Sequence, residues 1–121
     1  MELHVAKEFV HIDTWLTHAR EITSRGRAHY LTDVLTQEAG DSLMMKVGEA
    51  ANRLARHGVT APAGVDWPLA VANRNFIIHQ YDQIDREQTW LTLSEDLAEW
   101  HAAVQPLVAE ARRSLDSTDS S

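Results

Sequence analysis

The chain contains no cysteine among its 121 residues. A disulfide framework, a thiolate zinc site and a thiol nucleophile are therefore excluded. No apolar run reaches the ~18 residues that a membrane-spanning helix needs, and the residues after Met1 do not begin a signal peptide. These absences lead us to expect a cytoplasmic protein with no membrane association.

Positive charge is scarce as well: 11 Lys and Arg against 18 Asp and Glu give a formal net charge of −7. Proteins that hold nucleic acid through general electrostatics are usually basic, because phosphate neutralisation supplies most of the non-specific affinity. Any RNA contact must therefore come from local cations, and the candidates outside the motif described below are Arg20, Arg25, Arg27, Arg53 and Arg56. The acidic balance also suits a basic protein surface as partner.

The alternation typical of a β-strand is missing too, and apolar residues instead recur every three or four positions. The first such stripe precedes Gly26 and consists of Val5, Phe9, Ile12, Leu16, Ala19 and Ile22. The second ends at Gly58 and consists of Leu35, Ala39, Leu43, Val47, Ala50 and Leu54. Gly40 and Gly48 lie inside the second helix, where each costs ~1 kcal/mol relative to Ala, so we expect close helix packing there.

Residues 58–66 have the composition of a loop. Asp66 can cap a third helix that carries Pro68 in its first turn, and this helix is expected to run to about Tyr81. Asp85 resembles the cap of a fourth helix.

The last segment contains two predicted interruptions, a second helix start at Ser94 and a kink at Pro106. The tail from Ser114 is polar, and we expect it to fray. We therefore predict one helical domain over residues 1–113 and a tail over residues 114–121. The predicted fold class is all-α, a compact bundle of four to five helices.

The segment Arg74–Tyr81 places a cation, an amide, an imidazole and a phenol within two helical turns. On a helical wheel at about 100° per residue, the residues expected in the core share one arc; they are Leu69, Ala70, Phe76, Ile77 and Ile84. The opposite arc is polar and holds Arg74, Asn75, His79, Tyr81 and Asp82. Val71 and Ile78 break this segregation, because both are apolar and lie among the polar residues. Apolar residues on an outward face are best explained by a second protein surface that covers them.

The spacing of the polar residues favours a homodimer. Arg74 and His79 are five residues apart, hence ~140° around a helix and ~7.5 Å along it, so one helix does not easily direct both at one phosphate. Two copies related by a twofold axis could form a composite cleft. Arg74 and Tyr81 are seven residues apart and share a face, and Tyr81 leans back towards Arg74.

These residue types suit RNA cleavage without a metal or cofactor. Histidine performs acid–base catalysis near pH 7, and the planar fork of arginine matches phosphate oxygens. Asn75 could orient the imidazole or donate to the phosphate. The converging carboxylates of a two-metal nuclease are missing from the motif.

A simpler interpretation stands beside this one. An arginine and a histidine on one exposed helix face are more often solvated surface than an active site. The same holds for His4, His11 and His18, which recur every seven residues. Successive members are ~10 Å apart along a helix, too far for one metal ion, so we interpret them as a surface stripe.

The motif and its surroundings resemble the HepT-like toxins of the HEPN superfamily, which are small all-helical ribonucleases. Arg74-Asn75 and His79-x-Tyr81 match the family motif throughout. Val47-Gly48-Glu49-Ala50 is similar to its second-helix signature, and Trp67-Pro68 is similarly placed before the motif. The resemblance extends from about residue 5 to residue 110. One departure is Ala72-Asn73, where the family often has Gly-Met.

The resemblance implies a homodimeric, metal-independent endoribonuclease toxin with Arg74 and His79 as the catalytic pair and Asn75 beside them. It also implies a minimal nucleotidyltransferase as cognate antitoxin, which in related systems transfers AMP onto the motif tyrosine, here Tyr81. Each AMP unit adds a negative phosphodiester and a bulky nucleoside close to the cation that RNA phosphate needs. Two alternatives stay open: a non-catalytic binding module that partners a nucleotidyltransferase, and a helical adaptor in which Arg74 and His79 only hold the dimer together.

Overall fold

Helices account for most of residues 1–119, which the computed structural model describes except for the side chains of Tyr81, Thr118 and Asp119. The six α-helices of this part are α1 (Leu3–Ser24), α2 (Arg27–Thr32), α3 (Val34–Arg56), α4 (Trp67–His79), α5 (Arg86–Leu91) and α6 (Leu97–Asp119). A 3-10 turn, Tyr81–Gln83, follows α4, and a π-helical turn, Thr92–Asp96, joins α5 to α6 without a break. Five separate helical segments and no strand are thus described, which confirms the predicted all-α bundle.

Helix α1 forms the centre of the bundle, because it packs against α6 on one side and α3 on the other. Its predicted apolar stripe is confirmed: Phe9, Ile12 and Leu16 are each 1% exposed. Gly26 ends this region with φ 94°, a backbone conformation that side-chain-bearing residues rarely adopt. Periodicity did not predict α2, which is too short to show a stripe; its Tyr30 is fully buried.

The stripe predicted for α3 is correct from Leu43 onwards and wrong before it. Leu35 is 75% exposed and Ala39 is also exposed. Both line an open groove of about 630 Å³ between the start of α3 and the end of α1. The first turns of α3 therefore border this groove and are not buried against α1.

Two predicted helix starts are confirmed by their capping carboxylates. Asp66 accepts a hydrogen bond from the amide of Leu69 at 2.9 Å, and Asp85 accepts one from the amide of Glu87 at 3.0 Å. The predicted restart at Ser94 falls in the π-helical turn. Helix α6 contains Pro106 and continues past residue 113, and the kink, the domain boundary and the frayed tail stay predictions.

Helix α4 is the least covered of the long helices, because it packs mainly against α3. Its first residue anchors it: the Trp67 ring is 5% exposed and lies 6.5 Å from the ring of Phe9. Beyond that anchor, the side of α4 turned away from α3 is open. Among the residues described, no helix combines the length and the apolar content needed to cross a membrane.

Candidate active site

The exposed face of α4 differs from the predicted one. Only Trp67, Ala70 and Ile77 are buried in this helix. Leu69 and Phe76, which the helical wheel assigned to the core, are 37% and 46% exposed. The reason is that α3 covers only the strip centred on Ala70 and Ile77, so apolar residues outside that strip stay in solvent.

Arg74 lies at the edge of the strip that faces α3, not in an arc opposite the core as predicted. Gly48 of α3 makes this position possible: a Cβ built on Gly48 would lie 2.5 Å from the Arg74 Cβ and 2.6 Å from the Ala70 carbonyl oxygen. The close helix packing predicted at Gly48 is therefore confirmed. The Arg74 side chain is 29% exposed, so its stem is covered while part of it reaches solvent.

The guanidinium of Arg74 has two neighbours in the chain. Its Nη1 donates a hydrogen bond to the Asn75 side-chain oxygen at 3.0 Å. Its Nε lies 3.7 Å from a carboxylate oxygen of Glu49, which is too far for a hydrogen bond. The Nε–H is buried and donates to no residue that the structure describes. The guanidinium thus lies between α3 and α4, and its buried Nε–H is unused.

His79 is the last residue of α4 and is exposed. Its side chain makes no hydrogen bond or ion pair with any described residue. Five helical positions turn it ~140° away from Arg74, so a single chain does not bring the two groups onto one atom. Asn75 and His79 both lie on the open face of α4, as predicted.

Tyr81 was predicted to lean towards Arg74, but the side chain of Tyr81 is not among those that the structure describes. The backbone leaves the α-helix at Gln80, which has φ −120° and ψ 32°. The helical-wheel relation between positions 74 and 81 therefore does not carry past His79, although the helix was predicted to reach Tyr81.

Apolar side chains flank His79 on the open face. Phe76 and Ile78 are 46% and 41% exposed, and Leu69 adds to the same face about two to three turns earlier. Val71, the other predicted exception, is half-buried. An exposed cluster of this kind is typical of a surface that another protein covers.

A groove of about 660 Å³ runs between α3 and α4 beside Arg74. Met45, Ile77 and Ile78 supply its apolar part, and carboxylates, a hydroxyl and an amine supply the rest; these are Glu38, Asp41, Glu49, Ser42 and Lys46. Asp41 is 8% exposed and receives two hydrogen bonds from Arg86, at 2.6 and 3.0 Å. These hydrogen bonds outweigh the effect of burial and raise the pKa of Arg86.

The sequence did not predict Glu49 as a neighbour of Arg74 or Asp41 as a partner of Arg86. A signal for the first existed, because a glycine inside a helix marks close packing and the next residue borders that contact. Two of the cations considered for RNA are already engaged, Arg27 with Glu87 and Arg53 with Glu8.

The histidines of α1 lie away from α4. His4, His11 and His18 are all exposed. The His4 ring contacts that of His57, and the His11 ring contacts that of Trp15. Within the described part of the chain, no three His, Cys, Asp or Glu side chains are grouped as metal ligands.

Comparison with known families identifies one match. A family model described as Ribonuclease HepT-like matches residues 12–107, which include all of α4 and its neighbour α3. No curated protein and no solved structure matches the chain.

Proposed function

This chain belongs to the HepT-like ribonuclease family, and from that premise we propose that it is a metal-independent endoribonuclease toxin with its reactive groups on α4. The observation that carries the proposal is the open face of α4. It presents His79 and Asn75 between exposed apolar side chains, with the guanidinium of Arg74 at its edge.

The proposed reaction uses three groups. The imidazole of His79 takes the proton of the RNA 2′-hydroxyl as that oxygen bonds to phosphorus, and it then returns a proton to the 5′-oxygen as the bond from phosphorus to that oxygen breaks. The guanidinium of Arg74 stabilises the negative charge on the five-coordinate phosphorus. Asn75 orients Arg74 through the hydrogen bond to Nη1. The products are a cyclic phosphate and a free 5′-hydroxyl.

A second copy of the chain completes the proposed site. Within one chain Arg74 is turned towards α3 and His79 away from it, so neither group alone holds a scissile phosphate. A twofold dimer along α4 would cover Phe76 and Ile78 and bring His79 of one copy to Arg74 of the other. The proposal is therefore a homodimer with two composite sites.

The decisive experiment is complementation between two inactive variants, Arg74→Ala and His79→Ala. Each homodimer should fold and fail to cleave RNA in EDTA. The mixed dimer, purified through two tags, should regain about half of the wild-type activity because one of its two composite sites is intact. A mixed dimer without activity would refute the composite site.

A matched control is His11→Ala, which removes another exposed histidine on a different helix and should leave cleavage unchanged. If wild-type dimer does not cleave RNA at all but binds a nucleotidyltransferase tightly, the non-catalytic binding module is supported instead. If Arg74→Ala dissociates the dimer, the adaptor role is supported.

The proposed regulator is a minimal nucleotidyltransferase antitoxin that transfers AMP from ATP to the hydroxyl of Tyr81, with pyrophosphate as the leaving group. This residue follows the end of α4 by two positions, close in sequence to His79. A phosphodiester there would add negative charge next to the groups that bind RNA phosphate. The test is intact mass spectrometry of protein co-expressed with its neighbouring gene product, with Tyr81→Phe as the control. AMP increments that persist in Tyr81→Phe would refute this assignment.

A further inference from the structure

Glu49 is the one carboxylate placed against the buried side of Arg74 among the residues described. It follows Gly48, the residue that lets α3 and α4 approach so closely. Its nearer carboxylate oxygen lies 3.7 Å from the Arg74 Nε, and its side chain is 44% exposed. Glu49 therefore borders both the contact between the helices and the groove of about 660 Å³ beside it.

The donors of Arg74 show what this carboxylate can do. Arginine has five N–H donors in a rigid plane. One Nη1 hydrogen is engaged by Asn75, and the Nε–H is buried without an acceptor. A buried donor without a partner is unfavourable, so a small shift of the flexible Glu49 side chain onto Nε would be stabilising. The remaining Nη hydrogens would then form the only edge free for an incoming phosphate.

We propose that Glu49 is a positioning residue for Arg74: its carboxylate accepts from the Nε–H in the RNA-bound state and so fixes the plane of the guanidinium. This inference rests on the proposed ribonuclease function. Glu49 acts from α3 and Asn75 from α4, so the fork is held on two sides by two different helices. The charge of Glu49 also acts on the neighbouring Arg53, but the hydrogen bonds of Arg53 go to Glu8, at 2.6 and 3.1 Å.

Glu49 should affect binding and catalysis in opposite directions. A fixed fork makes the transition state easier to stabilise, so loss of Glu49 should lower kcat. The negative charge of Glu49 also repels the RNA phosphate, so loss of that charge should leave KM unchanged or lower it. A residue that merely supported the fold would instead reduce activity together with stability.

The experiment compares kcat and KM on a short RNA for Glu49→Ala, Glu49→Gln and Glu38→Gln. Glu38→Gln is the matched control, since it removes the same charge from the same groove and helix without touching Arg74. We expect Glu49→Ala to lower kcat about 10- to 100-fold, the effect of a misoriented reactive group. Glu49→Gln should recover most of kcat, because its amide oxygen still accepts from Nε. Wild-type kcat in Glu49→Ala would overturn the proposal.

An NMR measurement tests the contact independently of cleavage. The Nε–H signal of Arg74, assigned by its loss in Arg74→Lys, should exchange slowly with water in the wild type bound to a 2′-deoxy analogue of the RNA. Glu49→Ala should shift this signal and accelerate its exchange, whereas Glu38→Gln should not. An unchanged signal in Glu49→Ala would refute the positioning role. If the wild type fails to cleave RNA, the proposed function falls, and this signal still decides whether Glu49 positions Arg74.

Discussion

Gly48→Ala offers the sharpest test of how α3 and α4 hold the site. The new Cβ would lie 2.5 Å from the Arg74 Cβ and 2.6 Å from the Ala70 carbonyl oxygen. Neither atom is the free end of a flexible side chain, so the two helices must separate by about 0.9 Å to reach an ordinary contact of 3.4 Å. Overpacking of this kind costs up to about 3 kcal/mol.

Alanine also favours the helix over glycine by about 1 kcal/mol, which offsets part of that cost. The expected net loss for Gly48→Ala is therefore about 2 kcal/mol in the free energy of unfolding. For a chain of this size the loss corresponds to a decrease in Tm of about 8 °C.

Gly40→Ala is the control, because it makes the same change in the same helix. Its new Cβ would lie 2.9 Å from Leu93 Cδ1, a methyl group that can move. The gain in helix propensity should then nearly cancel the strain, and stability should stay within about 1 kcal/mol of the wild type.

Thermal and urea unfolding at one matched protein concentration measure both variants, since dimer stability depends on concentration. Gly48→Ala should also reduce RNA cleavage, because separation of the helices moves Arg74 away from Glu49. Equal stability of Gly48→Ala and Gly40→Ala would refute the close packing from which this reasoning starts.

Further predictions concern charged groups outside the motif. Burial alone would raise the pKa of Asp13, but hydrogen bonds from Gln105, Arg112 and His101 lower it. A carboxylate whose pKa is lower in the folded state than in the unfolded state stabilises the fold above about pH 4. Asp13→Asn should therefore lower the free energy of unfolding at pH 7. Urea unfolding should show this difference from the wild type shrink in acid. Burial, followed by the nearby carboxylates of Glu99, Glu95 and Asp66, raises the pKa of Asp96. Asp96→Asn should therefore increase the free energy of unfolding at pH 7, and this gain should disappear in acid. Arg86→Ala should cost about 3 kcal/mol in chemical denaturation by leaving Asp41 buried without its partner, and a loss below about 0.5 kcal/mol would contradict that pairing.

Sequence patterns predicted the fold well where one local signal determines the structure. The stripe of α1 is buried because helices lie on both of its sides, and the capping carboxylates Asp66 and Asp85 mark the starts of α4 and α5. The glycines Gly26 and Gly58 end helices through backbone conformations with φ 94° and 75°. In each of these places the cause lies within a few residues of the effect.

The same patterns failed where burial depends on a neighbour that is distant in sequence. A helical wheel groups residues by polarity, but the number of neighbouring helices decides how much of the apolar arc is covered. Helix α4 has more apolar surface than α3 alone can cover, so Leu69 and Phe76 remain in solvent. For Leu35, an open groove lies between the start of α3 and the end of α1.

The motif placed the proposed reactive side chains on one helix, whereas the surroundings of Arg74 come from another. The spacing of Arg74 and His79 predicted that they point apart, but the environment of the guanidinium comes from Gly48 and Glu49, some 25 positions earlier in the chain. Such a contact leaves only an indirect trace in a single sequence: a glycine that a helix would otherwise disfavour, followed by a charge of the opposite sign to the motif cation. The same arrangement of α4 follows from that trace and from the apolar residues that α3 leaves uncovered. One face of α4 is fixed by its own chain, and we propose that a second copy covers the other.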